Sequence, residues 1–333
     1  MDVLLRIRVQ LLRYLLDYND SIERRQEPQA PEPSFTKTIS SPSITRHVQL
    51  HFYTTPGFDT GECGAQARHP LVVDFHGGGL TAGLPSMDAR WAGSLIATEA
   101  RPVVVGVNYG LAPENPFPAA LQDATAALLW LATDGAAEYG LDVQRVILTG
   151  FSGGGTLALA VPIWLASRKD NAAVSPTDAE ILPSIDSLLS KLPHPLRGTI
   201  AIYPGIDFRL QRKPAKSLLG RFMHSTWDDA FFKRSPVYSP FVSPAAAGDS
   251  LLKNGLPEHV ALYSVSDDDL SGPCEDFRKR LASLGKRASG DVEPDAAHAW
   301  DKMPIRKDTA ARWQKRHDWF MRMAHVAENM LLA

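Results

Sequence analysis

Cysteine is scarce in this chain. Cys63 and Cys274 are the only two among 333 residues, which excludes a disulfide-stapled scaffold. One bridge fits that count, but two free thiols in a reducing compartment is the ordinary state, so a cytoplasmic location is the expectation. Long apolar runs are missing too. Met1 to Tyr18 is rich in leucine, yet Arg6, Arg8 and Arg13 interrupt it, leaving no stretch fit for a membrane span or a signal-peptide core. Charge of one sign is concentrated nowhere. The 35 basic residues face 37 acidic ones for a net charge of −2, a balance that argues against a nucleic-acid partner. Internal repeats and low-complexity segments are absent, and no metal-ligand cluster is legible.

What is present is ordinary for a sizeable globular core, with 44% hydrophobic and 22% charged residues. The length fits one α/β unit carrying insertions. Leu4, Ile7, Leu11 and Leu15 recur at helical spacing, so the N-terminal segment reads as an amphipathic helix. Its expected role is to pack on the body as a cap over a site, with contact to a membrane surface as the alternative. Residues 19–45, with Pro28, Pro31, Pro33 and Pro42, read as a linker. Val48, Leu50 and Phe52 alternate with polar residues, as in a half-buried edge strand. Short apolar runs at 71–75, 102–107, 145–149, 198–203 and 258–265 read as buried parallel strands. Helical patterns at 119–138, from 153, at about 272–286 and at 306–331 lie between and after them. That alternation predicts a doubly wound, mostly parallel sheet flanked by helices. Residues 169–197 and 208–256 break it. The second stretch, with Phe222, Trp227, Phe231, Phe232, Tyr238 and Phe241, reads as a cap insertion. The expected division is residues 1–45 as cap helix and linker, and 46–333 as the catalytic domain with its insertion at about 208–256.

Gly150-Phe151-Ser152-Gly153-Gly154 sits between a strand-like run and a helix-like run. A serine so placed, with glycine two places to either side, is the pattern of a nucleophile elbow. Upstream, His76-Gly77-Gly78-Gly79 follows the strand 71–75. Glycines after a strand let backbone N–H groups face a developing negative charge without side chains in the way. Losing one such donor costs about 2.7–4 kcal/mol of barrier. The N–H of Gly153, directly after the serine, is the further donor this arrangement expects.

Three blocks of this chain resemble the hormone-sensitive-lipase-like branch of the α/β-hydrolase family. His76–Gly79 resembles its HGGG motif, residues 108–123 (NYGLAPENPFPAALQD) resemble its YRLAPExPFPAALxD block, and Gly150–Gly155 resembles its GDSAGG elbow. The resemblance covers roughly residues 45–330. It implies an α/β-hydrolase fold and a serine, acid and histidine in that chain order. Ser266-Asp267-Asp268-Asp269-Leu270 is similar to the family's DPL segment, whose register selects Asp268, with Asp267 and Asp269 as near alternatives. Ala296-Ala297-His298-Ala299-Trp300 is similar to its HGF or HGW ending and selects His298. His194 and His224 lie in insertions, and His317 and His325 in the terminal helix pattern.

The resemblance therefore implies acyl transfer from a small to medium apolar ester to water. Ser152 would be nucleophile, His298 base and Asp268 its orienting acid. Gly78, Gly79 and Gly153 would bind the oxyanion, with Gly77 permitting the turn. No metal or organic cofactor is expected, and no oligomeric state is implied. A tailoring reaction on a specialised metabolite (lyase, acyl transfer or cyclisation) is the alternative on the same fold, and a non-catalytic ligand receptor is a third reading. Three positions depart from the family pattern. Phe151 replaces an aspartate and Gly153 an alanine. Gly110 replaces an arginine, which removes an expected partner for carboxylates such as Glu114 or Asp123.

Overall fold

β-branched and aromatic residues supply the strands around which the molecule is built. The computed structural model describes residues 3–40, 46–58, 68–169, 196–210, 215, 217–302 and 310–333. Nine strands form the sheet: β1 (Phe35–Ser40), β2 (His47–Tyr53), β3 (His69–Phe75), β4 (Val103–Asn108), β5 (Leu141–Phe151), β6 (Gly198–Ile202), β7 (His259–Asp267), β8 (Arg287–Ser289) and β9 (Val292–Ala297). Their order is β1-β2-β4-β3-β5-β6-β7-β8, with β9 also paired to β7. β2 runs antiparallel to β1 and β4, and the pairs from β4 onward are parallel.

Side chains alternate across this sheet with the strand period of two. Val73, Val105, Leu148 and Leu262 join one core with helices α3 (Ala119–Ala132), α5 (Gly153–Lys169) and α8 (Ser271–Ser283). Val72, Val104, Ile147 and Ala261 join the opposite core with α2 (Ala89–Ile96) and α9 (Ala310–Leu332). The sheet is therefore doubly wound, as expected. α4 (Asp134–Tyr139) follows α3 directly, dividing the expected 119–138 helix in two at Thr133. Among the described residues no helix is long and apolar enough to cross a membrane.

Three expectations change. The 19–45 segment is not a continuous linker: α1 (Val3–Arg24) runs into it, and β1 within it pairs with His47–Phe52 of β2. That pairing makes β1 the edge, so β2 is an interior strand. The helix α1 is also turned around relative to its leucine pattern. Leu4, Ile7, Leu11 and Leu15 are exposed, and the neighbouring stripe, Leu5, Val9, Leu12 and Leu16, is buried. Polar anchors choose this orientation. Arg8 pairs with Asp229 and Arg13 with Glu114, while buried Glu23 accepts from Arg90 and Arg316. These can form together only with the second stripe inward, where it meets Ala230, Phe222, Met223 and Trp227.

The 208–256 stretch holds α6 (Leu218–Ala230) and α7 (Asp249–Gly255) and contributes no strand among its described residues. Cys63, His194, most of the 169–197 insertion and the first four residues of the expected last helix lie outside the described residues.

Candidate active site

Ser152 follows β5 and precedes α5, at the carboxyl end of the parallel strands, where open α/β sheets bind ligands. Its φ is +51°, a left-handed conformation in a non-glycine residue, as a strained elbow requires. The flanking glycines make that turn feasible. A Cβ on Gly154 would collide with the Phe75 carbonyl at the end of β3, and one on Gly150 would strike the Gly154 backbone. The elbow is held further by the Ser152 N–H, which donates to the Ile202 carbonyl at 2.8 Å.

Strand pairing brings the acid and the histidine together across 30 residues. In the β7–β9 pair Asp267 lies opposite Ala297, so the next residue on each strand, Asp268 and His298, emerges side by side. His298 Nδ1 lies 2.6 Å from Asp268 Oδ2, and its Nε2 lies 2.8 Å from Ser152 Oγ. The other Asp268 oxygen, Oδ1, accepts the Leu270 N–H at 3.0 Å. Burial pushes the Asp268 carboxyl up, but its bond with His298, the charge there and the Leu270 N–H hold it below the ordinary carboxylate range. Asp267 and Asp269 are exposed, and the bond to His298 is made by Asp268.

The glycine turn faces the elbow. A Cβ on Gly77 would meet the Phe151 carbonyl at 3.3 Å, and one on Gly153 would lie 3.1–3.2 Å from Leu80 N and Gly79 N. Gly153 thus starts α5 against the glycine turn, in a space that even the family's alanine would crowd. His76 is not aimed at the serine. Fully buried, it pairs Nδ1 with the Gly77 carbonyl at 2.8 Å and stacks on Tyr109 with ring centroids 4.2 Å apart. Burial pushes its imidazole down to about 4, and the Gly77 bond offsets this only in part, so it is a neutral brace for the turn.

Gly110 does not leave its neighbours unpaired. Arg46 donates to both oxygens of Asp123, and Arg13 does the same for Glu114. These partners come from outside the motif, one from the start of the sheet and one from α1, and no local pattern announced them. Nor did any motif point to Lys302, whose ammonium lies beneath the elbow 2.7 Å from Asp88.

Ser152, His298, Asp268 and the three glycines of the turn line one cavity of about 990 Å³. Leu16 and Asn19 of α1, Met223 and Trp227 of α6, and Phe208 and Phe232 also line it, as do Asp88, Phe151 and Lys302. Among the described residues no group of three or more His, Cys, Asp or Glu side chains is placed to hold a metal ion.

Residues 72–302 match the family model described as the alpha/beta hydrolase fold. The carboxylic ester hydrolase LipN of Mycobacterium tuberculosis is 32% identical over 255 residues, 72% of this chain and 61% of that protein. Esterase LipI of the same organism is 42% identical over 100 residues, 30% of each chain. The chain thus spans less than two thirds of the length of either relative. Among solved structures, the hyperthermophilic esterase from the archaeon Pyrobaculum calidifontis superposes with a TM-score of 0.71 at 23% identity, covering 100% of this chain and 93% of that one. A fungal esterase from Rhizomucor miehei gives 0.73 at 18% identity, covering 97% and 90%. At those identities the likeness is one of fold. With the strand order in place and the family match running from the core of β3 to the histidine loop, the chain belongs to the α/β-hydrolase family, in its hormone-sensitive-lipase-like branch.

Proposed function

We propose that this protein hydrolyses carboxylic esters of small to medium apolar substrates through a serine-bound acyl intermediate. The observation that carries this reading is the continuous relay from Ser152 Oγ through His298 to Asp268, at 2.8 and 2.6 Å. The names of the relatives, esterase and carboxylic ester hydrolase, support it.

In the first half-reaction His298 Nε2 takes the Ser152 hydroxyl proton as Oγ adds to the ester carbonyl. Asp268 keeps the Nδ1 proton in place and stabilises the imidazolium. The carbonyl oxygen, now an anion, is bound by the N–H groups of Gly78, Gly79 and Gly153, with Gly77 permitting the turn. Collapse expels the alcohol, which takes its proton from His298. Water then adds to the acyl-serine while His298 takes one of its protons, and the acid leaves as Ser152 recovers its own. Helix α1 and the 208–256 segment act as the cap. Their apolar side chains around the cavity, Leu16, Met223 and Trp227 among them, favour apolar acyl or alcohol groups.

The test is turnover of p-nitrophenyl esters of increasing chain length by the protein and by Ser152→Ala. Ser152→Ala is expected to reduce kcat at least ~10³-fold. Equal turnover by the two would contradict the reading.

A further inference from the structure

We propose that Lys302 is a positioning residue for His298, clamping the histidine loop to the underside of the nucleophile elbow. This rests on the roles assigned above to Ser152 and His298. The loop leaves β9 and turns at once: Ala299 has φ +58°, and the Lys302 N–H donates back to the Ala299 carbonyl at 3.0 Å. The turn sends the Lys302 side chain inward, leaving it 10% exposed. Its ammonium lies 2.7 Å from Asp88 Oδ1, 3.6 Å from Asp301 Oδ2 and 3.7 Å from the ring centroid of Phe151. Phe151 is the residue before the nucleophile, and Asp88 stands at the N-cap of α2. One side chain, four residues from the base, therefore grips the elbow and the start of α2. Residues 301–302 are also tied down by three further bonds. Asn19 donates to the Lys302 carbonyl, Arg316 to the Asp301 carbonyl, and Tyr203 Oη to Asp301 Oδ1.

The contact with Phe151 gives the elbow's departure from the family pattern a physical sense. The ring face attracts the ammonium without adding another carboxylate to Asp74, Asp88 and Asp301, which already crowd this site. A competing account is that Lys302 merely balances those buried acids. Positioning and charge balance differ in what happens when the charges are removed together.

The experiment compares Lys302→Met, Lys302→Arg, the double variant Lys302→Met/Asp88→Asn and Phe151→Leu, with Ser152→Ala as reference. It reads kcat and KM on p-nitrophenyl butyrate and the far-downfield proton resonance of the His298–Asp268 hydrogen bond. Lys302→Met and the double variant are expected to lower kcat about 10- to 100-fold, with KM within about 3-fold, and to shift or broaden the proton signal. Lys302→Arg is expected to recover most of kcat. If Lys302→Met does not fold, the double variant and Phe151→Leu, which keeps every charge, decide; Phe151→Leu should lower kcat about 3- to 10-fold. Wild-type kcat and an unshifted resonance in the double variant, or a change confined to KM, would overturn the clamp. Persistent turnover by Ser152→Ala would instead overturn the assignment of the nucleophile.

Discussion

Arg46 holds both oxygens of Asp123, at 2.8 and 3.3 Å, from a position alongside Gly110. A Cβ on Gly110 would lie 2.9 Å from Asp123 Oδ2 and 3.2 Å from Arg46 Nε. Glycine at 110 and arginine at 46 are thus two halves of one solution: the guanidinium reaches the buried carboxylate from β2's side, and the motif position gives it room.

Removing Arg46 is expected to destabilise the fold. Asp123 is 1% exposed, and among the described residues the Gly110 N–H is its close donor besides Arg46. Arg46→Ala should cost about 2 kcal/mol or more, read as a lower urea midpoint at unchanged slope. Gly110→Arg should destabilise the wild type and recover stability in the Arg46→Ala background. Additive effects in the double variant would refute the shared role.

Asp268→Asn is expected to lower kcat about 10²- to 10⁴-fold, because the amide cannot hold the same imidazole tautomer. Asp267→Asn and Asp269→Asn should stay within a few-fold of wild type. A large loss at either neighbour, with Asp268→Asn active, would move the acid.

His76 makes stability depend on pH. An unfolded chain protonates this histidine near its ordinary 6.5, whereas burial holds the folded one neutral down to about 4. Between those values the unfolded state binds the extra proton, so stability falls as pH drops through the window, by about 2–3 kcal/mol at its acid end. The stability advantage of wild type over His76→Asn should shrink by that amount between pH 7 and pH 4.5. An unchanged difference would show that His76 titrates normally in the fold.

Glu23 anchors α1 to two helices of one layer, accepting from Arg90 of α2 and from Arg316 of α9, which is only 4% exposed. Glu23→Gln leaves two guanidinium groups without their carboxylate and should cost about 3 kcal/mol. Trypsin should then cut earlier at Arg24 or Arg25. Unaltered cleavage kinetics and stability would show that the apolar contacts alone hold the helix.

Sequence reading was sharpest where one short segment carried the whole signal. The elbow around Ser152 and the turn at 77–79 are local geometry dictated by glycine, and the parallel strands are short, fully buried apolar runs. It was less sharp wherever partners converge from a distance. Among three consecutive aspartates the resemblance favoured Asp268 but left its two neighbours as near alternatives, and the β7–β9 register is what sets Asp268 beside His298. On α1 two apolar stripes lie side by side, and the ion pairs of Arg8, Arg13 and Glu23 choose between them. Four of the six β1 residues, Thr36, Lys37, Thr38 and Ser40, are polar and prolines lie to either side, so its pairing with β2 was hidden by its composition. Lys302 lacked any motif because Asp88 and Phe151, which it contacts, are distant from it in sequence.

The central claim, that Ser152 is a nucleophile activated by His298, is tested most directly by mass spectrometry after treatment with an organophosphonate ester. The account predicts one covalent phosphonyl adduct per chain, located on the peptide containing Ser152 and forming in step with loss of esterase activity. Labelling should vanish in Ser152→Ala and slow by orders of magnitude in His298→Ala. Labelling at another residue, or unchanged labelling of Ser152 without His298, would contradict it.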